Sequence, residues 1–148
     1  MKILVMSDSH GVMSYMEQAV KKEKPDIAIH LGDCVSDAER LGWTFPDLRL
    51  FSIKGNNDWT GCVLDSVCAT DFGKIYMCHG HMLGVKSGIS NLVYTAKSKG
   101  CTIALYGHTH RQHLEEIDGV TVVNPGASLM LGSYAVCIDG KWELKRVL

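Results

Sequence analysis

Five times along this chain an apolar run stops at a short polar cluster made of Asp, Asn or His. KILVM (Lys2 to Met6) runs into Asp8-Ser9-His10, and DIAIHL (Asp26 to Leu31) runs into Gly32-Asp33. LRLFSI (Leu48 to Ile53) leads to Asn56-Asn57-Asp58, the run ending at Cys78 to His79-Gly80-His81, and Thr102 to Tyr106 to His108-Thr109-His110. Short apolar runs bounded by turn residues read as buried strands. Between the first two, Val12 to Lys24 carries Met13, Met16, Ala19 and Val20 at helical spacing and stops at Pro25, which ends a helix. Strand, helix and buried strand form a βαβ unit, so the sheet is expected to be parallel there.

The remaining pattern extends this order. Asp37 to Gly42 reads as a short helix, and Cys62 to Cys78 as two strands hinged at Asp71-Phe72-Gly73. Val85 to Lys99 reads as a helix closed by Gly100. Short strands follow, turned at Asp118-Gly119, Asn124-Pro125-Gly126 and Asp139-Gly140. The expected order is βαβαβ, a hairpin, a helix, then mostly β. Two sheets packed face to face with helices outside accommodate it.

The chain has 148 residues, a length that suits one domain over 1–148. A formal net charge of -1 leaves no basic footprint for nucleic acid or an anionic membrane, so a nucleic-acid substrate is unsupported. The apolar run at Met1 to Met6 is too short for a signal peptide or a membrane span. The six cysteines, at 34, 62, 68, 78, 101 and 137, form no CxxC pair. They read as reduced thiols of a cytoplasmic protein, most of them small buried hydrophobes.

Ligands of α/β sheets gather where strands end, and five strand ends on one rim would bring the polar clusters together. Gly32, Gly55, Gly80 and Gly107 stand beside them, where backbone must turn close to a ligand. Carboxylate, amide and imidazole donors suit divalent ions of intermediate hardness: Mn, Fe, Co, Ni and Zn. The scarcity of thiolates departs from structural zinc sites. Each cluster alone has an ordinary reading: DSH as a turn and helix cap, GD and GNND as turns. In order, at strand ends, they point to one site.

The series DSH, GDC, GNND, HGH, GHTH, followed by NPGAS, resembles the calcineurin-like metallophosphoesterase superfamily, and within it the small phosphodiesterases of the YfcE type. The resemblance runs from Asp8 to about Ser128. It implies an α/β fold, a four-layer α/β/β/α sandwich of two mixed sheets. It gives one metal Asp8, His10 and His110, the other Asn56, His79 and His108, with Asp33 bridging. It implies hydrolysis of phosphodiester bonds by attack of a hydroxide bridging two divalent ions, with manganese the expected activator. Many relatives carry His where this chain has Asn57, so general-acid help, typically ~10²–10⁴-fold, is expected to be missing.

Asp58 and His81 complete the candidate catalytic residues, Asp58 by orienting a ligand or His81 and His81 by reaching substrate. After NPGAS, where relatives often carry a Pro-Arg pair, this chain reads Leu129-Met130-Leu131-Gly132; Arg111, just past His110, is a candidate substitute or a solvated strand residue, and His30 and His113 lie outside the motifs. The loops at 43–47, 59–62 and 82–88 are expected to select a small substrate. Rival readings are a phosphomonoesterase or nuclease on the same metals, and a non-catalytic scaffold of the retromer-subunit type. The apolar stretch at 129–132 is a candidate contact for a homo-oligomer.

Overall fold

The computed structural model describes residues 1–58 and 62–148. Three parallel strands, β1 (Lys2–Met6), β2 (Ile27–His30) and β3 (Arg49–Ser52), are linked by helices α1 (Ser14–Glu23) and α2 (Val35–Thr44). The hairpin β4 (Asp65–Thr70) and β5 (Gly73–Cys78) follows, then a short 3₁₀ turn at His81–Leu83 and helix α3 (Ser90–Ser98). Strands β6 (Ile103–Leu105), β7 (Gln112–Ile117), β8 (Val120–Pro125), β9 (Ser133–Ile138) and β10 (Lys141–Arg146) complete the chain.

One sheet has the order β10-β9-β1-β2-β3 and the other β4-β5-β6-β8-β7. Both are mixed: β5, β6 and β8 run parallel, whereas β4, β7, β9 and β10 pair antiparallel. The two-residue period of a strand sorts side chains into layers. Ile3 and Val5 of β1 and Ile27 and Ile29 of β2 meet Ile75, Met77, Ile103 and Leu105 of the second sheet. Leu4, Met6 and Ala28 point the other way, against Met16, Ala19 and Val20 of α1 and Leu41 of α2. Tyr76, Ala104 and Val122 face Leu92, Val93 and Ala96 of α3. The layers are therefore α/β/β/α, as the sequence implies.

Several element bounds differ from the expected ones. α1 starts at Ser14, not Val12, because His10 and Gly11 hold positive φ (45° and 88°) in the turn after β1. α2 is longer than Asp37 to Gly42, since Val35, Ala38 and Leu41 all bury on one face. α3 begins at Ser90, not Val85; Gly84 and Gly88 carry positive φ and keep 84–88 irregular. β8 continues through Asn124 and Pro125, and the turn begins at Gly126. Only Cys78, Cys101 and Cys137 are buried; Cys34, Cys62 and Cys68 are partly exposed, so half the cysteines rather than most serve as core. The loop expected at 59–62 lies outside the described residues except for Cys62.

Candidate metal centre

The carboxyl ends of β1, β2 and β3 in one sheet and of β5 and β6 in the other open on the same rim. Side chains cross from sheet to sheet there. His79, just past β5, has Nε2 3.5 Å from Asp33 Oδ2 and 3.8 Å from Asp8 Oδ1. His110 Nε2 lies 3.2 Å from Asp8 Oδ1, and His10 Nε2 lies 3.8 Å from Asp8 Oδ1 and 4.0 Å from Asp33 Oδ2. The His108 ring is 5.0 Å from that of His79, and His81 stands 5.5 Å from His79 and 6.2 Å from His108. Two groups of donors fall within 4.8 Å of one another: Asp8, His10 and His110, and Asp8, Asp33 and His79.

The loops that deliver these groups are tightly tied. Asp8 Oδ2 accepts from Ser7 Oγ at 2.5 Å and from the His108 amide at 3.1 Å. Asp33 accepts from the Asn57 amide at 3.0 Å and from Asn57 Nδ2 at 2.9 Å. A Cβ on Gly55 would strike the Asp33 carboxylate, and one on Gly107 would strike Ser7 Oγ, so only glycine lets these loops approach. Asp8, His10, Asp33, His108 and His110 all hold positive φ, between 45° and 68°. Non-glycine residues pay ~1–3 kcal/mol each for such backbone, a strain that concentrates where ligand geometry demands it.

His79 tests whether the donors fit a cation. Its Nδ1 donates to the Leu31 carbonyl at 2.8 Å, which leaves Nε2 as a bare lone pair. That Nε2 is buried and has no hydrogen-bond partner among the described residues, yet it faces two carboxylates. A lone pair turned toward carboxylate oxygens is repelled unless a cation lies between them or a proton is taken up. Burial works against protonation of His79, but the carboxylates of Asp33 and Asp8 outweigh it and hold its pKa above the ordinary imidazole value. Burial would likewise raise the Asp33 carboxyl; His79 and the two Asn57 donors overcome this and hold it well below the usual range. Burial and the neighbouring His79 push His108 and His81 down, with Lys86 adding to the effect on His108. The positive charge that Asp33 and Asp8 draw toward His79 is what a divalent ion would supply with the ring neutral, and imidazoles with carboxylates are the donor set such an ion accepts.

Among the remaining candidates, Asn56 lies exposed at the mouth, one residue before the Asn57 that holds Asp33. Asp58 does not reach His81. Its carboxylate accepts from the amides of Gly55 (2.8 Å), Asp33 (2.9 Å) and Val35 (2.8 Å), so it locks the loop after β3 to the loop after β2. Three groups support the site through contacts the sequence did not indicate. His30 is fully buried and takes the Gly32 amide on Nδ1 at 3.1 Å, leaving Nε2 to donate to Ser9 Oγ at 2.9 Å. Asp37 accepts from the Gly11 amide at 2.6 Å. Asn124, inside NPGAS, donates to the Gly107 carbonyl and to Thr109 Oγ1 and so fixes the GHTH turn.

A four-layer sandwich with histidines, carboxylates and asparagines gathered at one rim defines a metal-dependent hydrolase of the phosphoesterase class. The sequence pattern of the calcineurin-like phosphoesterase superfamily domain matches residues 1–136, and this chain belongs to that superfamily. It is 32% identical over 131 residues to the probable metallophosphoesterase YsnB of Bacillus subtilis, covering 86% of this chain and 75% of that one. It is 28% identical to phosphodiesterase MJ0936 of Methanocaldococcus jannaschii, covering 85% and 83%. A predicted phosphoesterase from Streptococcus pneumoniae superposes with a TM-score of 0.81 at 26% identity, covering 98% and 88%. The phosphoesterase YfcE of E. coli shares the fold at a TM-score of 0.71 and 18% identity, covering 94% and 89%. So does zinc-bound Vps29 of Entamoeba histolytica, at 0.75 and 20%, covering 99% and 98%.

Proposed function

We infer that this chain, acting as one domain over 1–148, is a divalent-metal-dependent phosphodiesterase of small substrates in the cytoplasm, with manganese as its activating ion. The buried, unpartnered His79 Nε2 turned toward Asp8 and Asp33 carries the reading. Asp8, His10 and His110 would hold one ion, and Asn56, His79 and His108 the other. Asp33, within 4.0 Å of both His10 and His79, would be the shared ligand, with Asp8, 3.8 Å from the same two rings, beside it. Bound there, two dications lower the pKa of water and offset negative charge growing on phosphorus oxygens.

The chain's own residues supply the rest. Leu31 fixes the His79 tautomer, Asn57 and Asp58 hold Asp33 and its loop, and Ser7 with the His108 amide holds Asp8. The Asn57 amide is spent on Asp33 and carries no acidic proton, so this site offers no general acid at that position. Diesters with good leaving groups suit such a site. The phosphodiesterase name of the M. jannaschii relative supports the substrate class. The test compares bis(p-nitrophenyl) phosphate with p-nitrophenyl phosphate under each metal in turn. A higher kcat/KM on the diester, greatest with manganese, is expected; a monoester rate equal or higher overturns the diesterase assignment.

A further inference from the structure

Just beyond the metal ligands His108 and His110 lies a cavity of about 560 Å³ lined by Val85, Lys86, Tyr106, Thr109, Arg111, Gln112 and His113. Thr109 sits between the two ligands in sequence and Arg111 follows the second, so the GHTH turn is the wall shared by cavity and metal centre. Its lining holds two cations, and the carboxylate in contact with that lining, Glu115, is bonded to His113. Neither Lys86 nor Arg111 forms an ion pair among the described residues, in a chain whose net charge is -1.

The floor is a hydrogen-bonded chain that no metal ligand uses. His113 Nε2 lies 2.9 Å from Glu115 Oε1 and Nδ1 lies 2.7 Å from the Tyr106 hydroxyl. A carboxylate only accepts, so Nε2 carries the proton and Tyr106 donates to Nδ1. This fixes both rings edge to face at 86° in the lining that also holds the two cations. Gln112 spends its amide on the Lys145 and Tyr134 carbonyls and anchors the turn from behind. Fixed polar side chains beside two unpaired cations are the chemistry of an anion subsite.

We propose that this cavity binds a second anionic group of the substrate, so that the preferred phosphodiesters bear a phosphate or carboxylate on the part that does not react. This rests on the phosphodiesterase reading and narrows its substrate class. Two exposed cations together predict a gain of about tenfold in affinity. The experiment titrates thymidine 5′-monophosphate, its 3′-phosphate derivative and its 3′-O-succinyl derivative into the manganese-loaded protein and into the metal-free protein by calorimetry.

The 3′-phosphate compound should bind about tenfold more tightly than the monophosphate. In Lys86→Ala/Arg111→Ala that ratio should fall to about one, and raising salt should shrink it in the unmodified protein. A matching gain for the succinyl compound supports recognition of any anion; a gain for the phosphate alone supports a dianion site. Equal affinities in the unmodified protein, or a preference that survives the double substitution, overturn the subsite. Turnover of bis(p-nitrophenyl) phosphate in parallel separates the two claims. Binding preference without turnover removes the esterase and keeps the subsite, and turnover without preference does the reverse.

Discussion

His79 and Asp33 face each other across the two sheets, Nε2 to Oδ2 at 3.5 Å, one placed by the end of β5 and the other by the end of β2. Neither strand pairs with the other's sheet; the hydrogen bond from His79 Nδ1 to the Leu31 carbonyl, at 2.8 Å, ties the two strand ends together across the sandwich. Asp33 is also 4.0 Å from His10, while Asp8 Oδ1 lies 3.8 Å from both His10 and His79 and 3.2 Å from His110, so both carboxylates stand between the histidines. Asp33→Asn keeps the shape but removes the charge shared by two cations. It should lower kcat/KM by more than about 10³-fold, since metal charge stabilisation is worth several kcal/mol. Metal content measured on the purified variant should fall as well. Near-normal activity would remove Asp33 as the shared ligand.

Asn57 donates through both backbone and side chain to Asp33, and no proton donor replaces it. Asn57→His should speed diesters with alkyl leaving groups by up to about 10²-fold, with a smaller effect on nitrophenyl esters. A plot of log rate against leaving-group pKa should therefore flatten in the variant. Parallel lines for the two proteins would show that the missing acid does not limit the reaction.

His30 bridges the loops that carry Asp8 and Asp33, through Ser9 and the Gly32 amide. Burial pushes its pKa down from 6.5 to about 4. The neutral ring is thus favoured by folding, while the unfolded chain takes up a proton first as pH falls. Its contribution is complete above pH 6.5 and is lost as pH drops toward 4. A shift of this size corresponds to roughly 3 kcal/mol. Urea unfolding of the metal-free protein should show His30→Gln losing less stability than the parent between neutral pH and pH 4. Identical pH slopes would show that His30 does not titrate with unfolding.

The candidate metal donors were legible in the sequence because each sits in a short motif at the end of an apolar run, and both strand period and strand order survive in the fold. What lies beneath them was not. His30 reads as an ordinary strand residue, and its link to Ser9 spans 21 residues of sequence. Asp58 reads as the end of a turn, yet its carboxylate serves amides 23 and 25 residues away. Helix starts were misjudged where glycines and positive-φ ligands extend a loop, as at His10-Gly11 before α1 and Gly88 before α3. Local pattern carries no signal for such backbone, which the site imposes from a distance. Tyr106 and His113 likewise meet through the turn between β6 and β7, whereas His113 and Glu115 are two apart on one face of β7.

Asp58 offers the sharpest separation of loop order from ligation. Its two oxygens take three amides, those of Gly55, Asp33 and Val35, so an amide side chain there can satisfy only part of them. Asp58→Asn places an NH₂ against at least one N–H donor, and the loops after β2 and β3 must part. Partners that hold metal ligands in place are typically worth about 10–100-fold in metal affinity. Manganese titration should show a loss of that size, while saturating metal should restore most of kcat because no ligand has been removed. A kcat that stays low at saturating manganese would instead place Asp58 in direct contact with the reacting groups. Unchanged affinity would mean that Asp33 is held by Asn57 alone.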